Sequence, residues 1–483
     1  MSAPQHNVHN LHGVEGMTGV EGVNGMDGMD GMDGVDDPSG VNDQLVAAVM
    51  AKDADAVRAC LNDGADPDTP GPDGLPLLCT AVGAFDHETA DALTDGGADS
   101  CVVLPDGTTP LMRAVDLGSP ALVGATLGRD PGLRITAAEK QRLLALARHW
   151  CETGEAEELR RRTGAPGPAA RRPVQDDEYT DIEEVSLGGL TVRAGHRGVL
   201  TDLERAFGIL SPVSELVARA VPDPGELHAN WSSVSYALAF RKSPQAWSEL
   251  AALRHHPDPV HRRLLAKVLW SRNFLANFHN RPDTAGDVEF LAAWALDEPD
   301  GEVLADVLDV YTDHDHPGQE AVAFRYAGHP DPRVRRQVPY CLMRTPMSEP
   351  AVTTLLALAR DPDSRVRYVV AEVLAYPREL TPATRRNLLT LLRDPDADVR
   401  RRAAESLSGS HDRTAAVTEA LAALLDEEDR ILRLEAAYGL AVRDDPRTDE
   451  AYERVGPLGP GFEDDHRVSA HWHYRHRNRA GGT

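Results

Sequence analysis

Histidines near the C-terminus are the first candidates for chemistry. His471, His473 and His476 lie close together beside two aromatic residues, and neighbouring imidazoles can bind a transition metal. The segment from Arg467 to Thr483 is polar and rich in arginine, which favours a disordered or loosely docked end, or a small basic contact patch. We therefore predict no metal site in this segment.

Two further polar groups contain titratable residues. One surrounds a Pro-Asp turn, and the other alternates aspartate with histidine; their members are His255, His256 and His261, and Asp313, His314, Asp315 and His316. Both groups fall where loops between helices are expected. Acid–base catalysis would require them to converge in one pocket, so the sequence alone predicts solvated loops.

A row of arginines could bind nucleic-acid phosphates. Each arginine follows an aspartate by four residues, in the pairs Asp331 and Arg335, Asp363 and Arg367, and Asp396 and Arg400. Residues four apart share one face of a helix and can pair there. Residues 329–443 hold 17 acidic residues and 18 arginines, so the segment is almost neutral. We predict that these residues are structural positions of a repeat.

The rest of the sequence contains no catalytic signature. Phosphate-binding, nucleophile-elbow and zinc-protease motifs are all missing, so we expect no enzyme, no catalytic residue and no cofactor. The five cysteines are never spaced as Cys-x-x-Cys, which fits a reducing compartment. With no apolar run of membrane-spanning length and no signal peptide, the sequence predicts a cytoplasmic protein without membrane contact.

The charge is unevenly distributed. The net charge is −27, and residues 1–128 hold 21 acidic residues against three basic ones. An acidic surface disfavours nucleic acids and anionic membranes, because binding them requires a basic footprint. The N-terminal half is therefore predicted to suit a basic protein partner.

The elements that position these residues follow two periods. The first is 33 residues: Gly64 recurs as Gly97, and Asp73-Gly74 recurs as Asp106-Gly107. The string from Asp106 to Ala114 resembles the ankyrin repeat, whose period is 33. The structural positions of this array are Gly64, Gly97, Asp73, Gly74, Asp106, Gly107, Pro110, Leu111 and Ala114.

Local chemistry explains those positions. Asp-Gly forms a tight turn, Thr109 can cap a helix, and Pro110 suits the first helical position. Leu111 and Ala114 share the face toward the next repeat. Gly64 and Gly97 are predicted to follow their helices in the left-handed conformation.

The second period is 32 or 33 residues. His329-Pro330-Asp331-Pro332-Arg333-Val334-Arg335 is followed by similar strings at 361–367 and 394–400. This pattern resembles the short HEAT repeat of bacterial arrays, including those of the phycobilin lyases. Proline would stop one helix and aspartate would begin the next.

The sequence thus predicts an all-α fold of two helical solenoids joined by a linker. Its parts are a disordered Gly-rich tail (1–41), ankyrin repeats with closing helices (42–162), a linker (163–184), a HEAT-like array (185–455) and a C-terminal tail (456–483). Stacked repeats create extended surfaces, so the predicted function is a non-enzymatic scaffold or regulator that binds a protein. The alternatives are a lyase or isomerase of the phycobilin-lyase type, and a HEAT-like nucleic-acid enzyme.

Overall fold

The N-terminal part of the chain is a stack of helix pairs. The computed structural model describes residues 38–128, 134–225, 227–278, 285–344, 346–376, 379–462 and 465–480. Residues 1–37 of the predicted disordered tail (1–41) therefore lie outside the described residues. The helices are α1 Pro38–Ala51, α2 Ala54–Asn62, α3 Leu77–Gly83, α4 His87–Asp95, α5 Pro110–Leu117, α6 Pro120–Leu127, α7 Ala137–Thr153 and α8 Glu155–Thr163.

Caps and small buried residues define the first three pairs. The Thr109 side chain accepts a hydrogen bond from the Met112 backbone, and Pro110 occupies the first turn of α5. Asp86 caps α4 in the same way. Leu78 and Leu111, 33 residues apart, are at most 1% exposed. Each pair thus buries one apolar face against the next pair, which a single pair cannot do alone.

A three-stranded antiparallel sheet spans residues 170–193, which covers most of the predicted linker (163–184) and the start of the predicted HEAT-like array. Its strands are β1 Ala170–Gln175, β2 Asp181–Leu187 and β3 Leu190–Arg193, in the order β1-β2-β3. Pro173 is tolerated because β1 is an edge strand. Val185 and Val192 pack with Trp150 of α7. Because these apolar residues are few and widely spaced, the proline- and glycine-rich composition conceals the strands.

The C-terminal part is a longer series of helix pairs. In each pair a first helix is followed by a second helix that usually begins at an aspartate cap. The helices are α9 His196–Ala206, α10 Val213–Ala220, α11 Ala229–Ala239, α12 Pro244–Ala252, α13 Pro259–Phe278, α14 Ala285–Asp297, α15 Gly301–Thr312, α16 Gln319–Tyr326, α17 Pro332–Cys341, α18 Glu349–Leu358, α19 Ser364–Ala375, α20 Pro382–Leu391, α21 Ala397–Ser408, α22 Ala415–Ala423, α23 Arg430–Val442, α24 Thr448–Val455 and α25 His466–Ala480.

The second helices form one continuous layer through the molecule. α2, α4 and α6 pack side by side, α6 packs against α9, and the odd-numbered helices from α9 to α25 continue the row. The even-numbered helices from α10 to α24 contact one another sparsely. A solenoid curves toward its more tightly packed layer. We call the solvent-facing surface of the odd-numbered helices from α9 to α23 the inner face.

The predicted C-terminal tail contains the last helix of this layer. α25 packs against α23, where the Arg467 guanidinium contacts the Glu435 carboxylate at 2.6 Å. The His471 ring stacks on Tyr452 with centroids 4.2 Å apart, and Tyr474 is 8% exposed. The helix docks mainly through ion pairs and ring stacking. Hydrophobic periodicity, the main sequence signal for a packed helix, is therefore weak here.

A buried joint connects the two arrays. His196 of α9 is fully buried, and its ring stacks on Trp150 with centroids 4.4 Å apart. Arg162 covers the indole at 4.6 Å and donates two hydrogen bonds to the Asp116 carboxylate, at 2.6 and 2.7 Å. The Trp150 indole N–H donates to the same carboxylate at 2.9 Å. The arrays are therefore packed together as one stack.

Candidate protein-docking surface on the inner face

The predicted arginine positions form a ladder between repeats. Arg335 donates two hydrogen bonds to the Asp361 carboxylate, at 2.7 and 2.8 Å, and another to the carbonyl of His329. Arg367 repeats this geometry with Asp394, at 2.7 and 2.8 Å, and with the carbonyl of Asp361. Such bidentate pairs are strong and directional. Each arginine–aspartate pair links one repeat to the next.

Each arginine was predicted to pair with the aspartate four residues before it in the same repeat, and the structure shows a different pairing. Asp363 and Asp396 accept hydrogen bonds from the first backbone N–H groups of their own helices, so they act as caps. Asp331 also caps its helix and pairs with Arg333, not with Arg335. The aspartates that the arginines bind lie two residues before the caps of the following repeat. Arg400 donates to the carbonyls of Asp394 and Pro395.

Acidification below about pH 4 is expected to loosen this ladder. Burial raises the pKa of the Asp361 and Asp394 carboxyls, but hydrogen bonds from Arg335 and Arg367 outweigh it, so both pKa values lie below the ordinary value. Such carboxylates stabilise the fold above their unfolded pKa, and the contribution is lost as the pH falls through the folded pKa.

Hydrogen exchange of residues 332–408 during acid titration measures this effect. Asp394→Asn removes one titrating carboxylate, so exchange in that variant should be faster at neutral pH and depend less steeply on pH. An unchanged pH dependence would contradict the ladder's contribution.

The predicted positions of the N-terminal array lie in its turns and core. Gly64, Gly97, Gly74 and Gly107 have φ angles of +93°, +105°, +78° and +80°. Leu111 and Ala114 are buried. The Asp73 and Asp106 carboxylates accept backbone hydrogen bonds two residues ahead, from Leu75 and Thr108. The two aspartate side chains are therefore hydrogen-bonded within the turns to which they belong.

The histidine groups are engaged locally. The rings of His256 and His261 stack at 3.6 Å beside a cleft of about 410 Å³ that Arg262 and Glu298 also line. Arg262 and Glu298 are the ladder pair of that repeat, at 3.1 Å. Burial lowers the pKa of His261. In the part of the chain that the structure describes, no three His, Cys, Asp or Glu side chains are grouped to hold a metal ion.

An apolar patch lies at the C-terminal ends of three neighbouring second helices, α9, α11 and α13. We call it the platform, and its members are Ile209, Leu210, Tyr236, Phe240, Trp270 and Phe274. The exposed fractions are 78% for Leu210, 43% for Phe240 and 46% for Phe274. Exposed apolar clusters of this kind mark interaction sites, whereas single exposed apolar residues are ordinary.

Ring contacts hold the platform together. Tyr236 and Phe240 meet edge to face with centroids 4.9 Å apart, and Trp270 stacks on Phe274 at 5.5 Å. Ser235 and Ser271, each next to a platform aromatic, are hydrogen-bonded at 3.4 Å across α11 and α13. The two aromatic pairs therefore lie side by side on adjacent helices, at a helix spacing of about 8–10 Å.

Cations border the platform. The Arg205 guanidinium lies 5.1 Å from the Tyr236 ring, and the Lys267 ammonium lies 4.0 Å from the Trp270 ring. Arg241 donates to the Ser211 carbonyl at 2.8 Å, next to Leu210. Exposed Lys242 follows it in the chain. Asp306 and Asp313 of the neighbouring helix α15 contact Arg263 and Asn273 of α13 at 2.8 and 3.3 Å, so the border of the platform carries charges of both signs.

The acidic residue that pairs with Arg205 is largely covered. Asp202 accepts a hydrogen bond from Ser233 at 2.7 Å and lies 3.7 Å from Arg205. Burial raises the pKa of its carboxyl, although Arg205 and Ser233 oppose that shift. Its side chain is 16% exposed.

The platform was missed by reasoning from motifs. Tyr236 and Phe240, and likewise Trp270 and Phe274, are four residues apart, the spacing of one helix face. Aromatic residues make up only 5% of the chain. Two aromatic pairs at that spacing on consecutive second helices were the available signal, and only the packing of the neighbouring helices shows that Tyr236, Phe240 and Phe274 stay exposed.

Comparison with known proteins identifies HEAT repeats in the C-terminal half, where residues 288–375 and 352–441 match the HEAT-repeat family. The X-ray structure of the Escherichia coli protein YibA has 16% identity and a TM-score of 0.42, with 55% of this chain and 92% of that chain covered. The crystal structure of an engineered protein has 16% identity and a TM-score of 0.37, with 92% and 100% covered. At these TM-scores neither likeness bears on function.

No curated protein matches the chain. None of the described helices is both long enough and apolar enough to cross a membrane.

Proposed function

We propose that this chain is a non-enzymatic scaffold or regulator that binds a protein partner on its inner face. The platform is the observation that supports the proposal most directly. Aromatic and aliphatic side chains that remain exposed beside a well-packed core are typical anchors of protein interfaces. HEAT arrays provide such extended surfaces without adding catalytic groups.

We further propose that residues 42–131 are ankyrin repeats with a separate, basic partner. The 33-residue spacing of helix pairs, the Thr109-Pro110 helix start and an antiparallel bridge between Pro70 and Pro76 support the assignment. The turns of this array expose the acidic residues Asp66, Asp68, Asp73, Asp99 and Asp106. A surface of that charge favours a partner rich in lysine or arginine.

A cytoplasmic location is part of the same proposal. All five cysteines are free thiols, and Cys60, Cys79 and Cys341 are buried. Free cysteines fit a reducing compartment, where disulfides are rare.

Replacing both Phe240 and Phe274 with alanine is expected to weaken partner binding about tenfold or more, because interface aromatics commonly contribute over 1 kcal/mol each. Quantitative affinity purification of the full chain from its native cell, with and without the substitutions, measures the loss. Both side chains are nearly half exposed, so the fold should be retained, which circular dichroism checks.

Phe324→Ala is the matched control. Phe324 lies on α16, outside the inner layer, and is 40% exposed. Partners that depend on the platform should be lost with the double substitution and kept with the control. If both variants recover the same partners in the same amounts, the platform is not the binding surface.

A further inference from the structure

We propose that the turn between α12 and α13 is an acid-sensitive hinge, in which a stacked pair of histidines joins two HEAT repeats only while both rings are uncharged. The pair is His256 and His261, whose ring centroids lie 3.6 Å apart. The inference goes beyond the proposed scaffold function and does not depend on the partner that the scaffold binds. It follows from the repeat position of each histidine, the bonds of the ring nitrogens and the contacts of the neighbouring arginine.

His261 occupies a core position of its repeat. In the three clearest repeats this position is a valine that is 0% exposed: Val334, Val366 and Val399. The same position in the string that begins at His256 is His261. Its Nδ1 is buried and has no hydrogen-bond partner among the described residues. Because a core position disfavours a charge, and because departures from a repeat rule concentrate at functional sites, this substitution of histidine for valine is informative.

His256 takes the place of a carboxylate in the turn. At the same position of later repeats, Asp361 and Asp394 accept a hydrogen bond from the backbone N–H two residues ahead, at 2.9 and 3.0 Å. His256 accepts the equivalent bond at Nδ1 from the Asp258 N–H at 3.1 Å, which is closer than the Asp258 carbonyl at 3.4 Å. Nδ1 accepts a hydrogen bond only while it carries no proton. Protonation at Nδ1 therefore removes the bond that shapes this turn, whereas a carboxylate retains it down to about pH 4.

The turn also supports the ladder pair of its repeat. Arg262 donates from Nη1 to the carbonyls of His256 and Pro257, at 2.7 and 3.2 Å. Its guanidinium pairs with the Glu298 carboxylate at 3.1 Å, and the Glu298 side chain is 1% exposed. If the turn opens, Arg262 loses the two carbonyls that orient it, and the link between α13 and α15 weakens. The cleft of about 410 Å³ beside His256 provides space into which a charged ring can move.

The charges around the stack give the direction of the pH effect. Burial and the neighbouring His256 hold the pKa of His261 below its usual range, although the Asp258 carboxylate, 3.5 Å from Nδ1, opposes them. Among the described residues, His256 and Asp258 are the charged groups that shift this pKa. The charged groups of the adjacent elements are paired: Arg254 with Asp297 at 2.8 Å, Arg262 with Glu298 at 3.1 Å, and Arg263 with Glu302 and Asp306 at 2.9 and 2.8 Å.

The sign follows from these shifts. A histidine whose pKa is lower in the folded state binds fewer protons there than in the unfolded chain. Its contribution to stability is present above the unfolded pKa of about 6.5 and is lost as the pH falls toward the folded value. The hinge should therefore loosen below about pH 6.5, well before the carboxylates of the ladder are protonated.

Hydrogen exchange of the full chain at pH 7.0 and pH 5.5, expressed as protection factors that correct for intrinsic rates, tests the inference. Protection of residues 253–275 and 285–305 should fall about threefold to tenfold at the lower pH, because each proton taken up on opening changes the equilibrium by at most about tenfold per pH unit. Residues 361–408, whose turns contain carboxylates, should keep their protection.

Substitutions locate the effect. His256→Asp with His261→Val installs the residues of the later repeats, so it should remove the acid dependence and keep protection at pH 7.0. His261→Val alone retains the turn hydrogen bond and should show a smaller dependence than the unmodified chain. His255→Gln, at an exposed neighbouring position, is the matched control and should retain the full dependence.

Three results would overturn the proposal. The first is equal protection of the unmodified chain at the two pH values. The second is acid dependence that persists in the double variant or, where that variant is unfolded, remains complete in His261→Val. The third is loss of the dependence in His255→Gln, which would place the titrating group outside the stack.

Discussion

Replacing Arg367 with alanine is expected to lower the free energy of unfolding of the C-terminal array by about 2–4 kcal/mol. The Arg367 and Asp394 side chains are 12% and 6% exposed. Removing the guanidinium leaves the Asp394 carboxylate largely buried without its two strongest donors, and the carbonyl of Asp361 also loses a donor. Because repeats are stabilised by their neighbours, the loss should appear as opening of the interface between α19 and α21.

Denaturant unfolding and hydrogen exchange measure this change. Arg386→Ala, at an exposed position on α20, is the control and should change stability by less than about 0.5 kcal/mol. The double substitution Arg367→Met with Asp394→Leu should recover part of the loss, since no unpaired charge remains. If Arg367→Ala matches the control, the ladder does not stabilise the array.

Gly118→Ala is expected to destabilise the protein by about 3–5 kcal/mol and to uncouple the two arrays. Gly118 has a φ angle of +73°, and a Cβ there would lie 2.3 Å from the Arg193 carbonyl and 2.4 Å from the His196 ring. The carbonyl belongs to the backbone and cannot rotate away. The joint must therefore open, and thermal unfolding should split into two transitions.

Gly107→Ala separates backbone strain from this clash. Gly107 has a similar φ angle of +80°, but a Cβ there would have no neighbour within 4 Å. Its cost should be about 1–2 kcal/mol, with a single transition retained. Equal effects of the two substitutions would show that the contact between α5 and α9 does not couple the arrays. Scanning calorimetry resolves both quantities.

The sequence predicted the repeat periods well, because they depend on local rules. Asp363 and Thr109 cap helices wherever a turn precedes an apolar face, and a 33-residue recurrence of leucines requires stacked units. The HEAT repeats of the C-terminal half are confirmed. The same local reasoning paired Arg367 with the aspartate nearest in sequence, since the offset between stacked repeats is a tertiary property.

The joint and the platform were beyond prediction for related reasons. His196 and Trp150 are 46 residues apart, and nothing in their local sequence indicates that their rings stack. Phe240 and Phe274 each follow another aromatic residue by four positions, a spacing that core residues of a helix also have. Their exposure depends on which helix face the neighbouring helices cover. A periodic pattern identifies an apolar face but does not show whether another element packs on it.

The continuous layer of second helices has a consequence for any pair of ligands bound at once. Residues 163–195 contain a sheet in place of a flexible tether, and the buried rings of Trp150 and His196 stack beside it, so the acidic turns and the platform are held at a set separation. The molecule therefore fixes the distance between two ligands that bind to it at the same time. The effective concentration of one ligand near the other is determined by the number of intervening helices, and it falls to almost zero for partners whose own sites do not match that spacing.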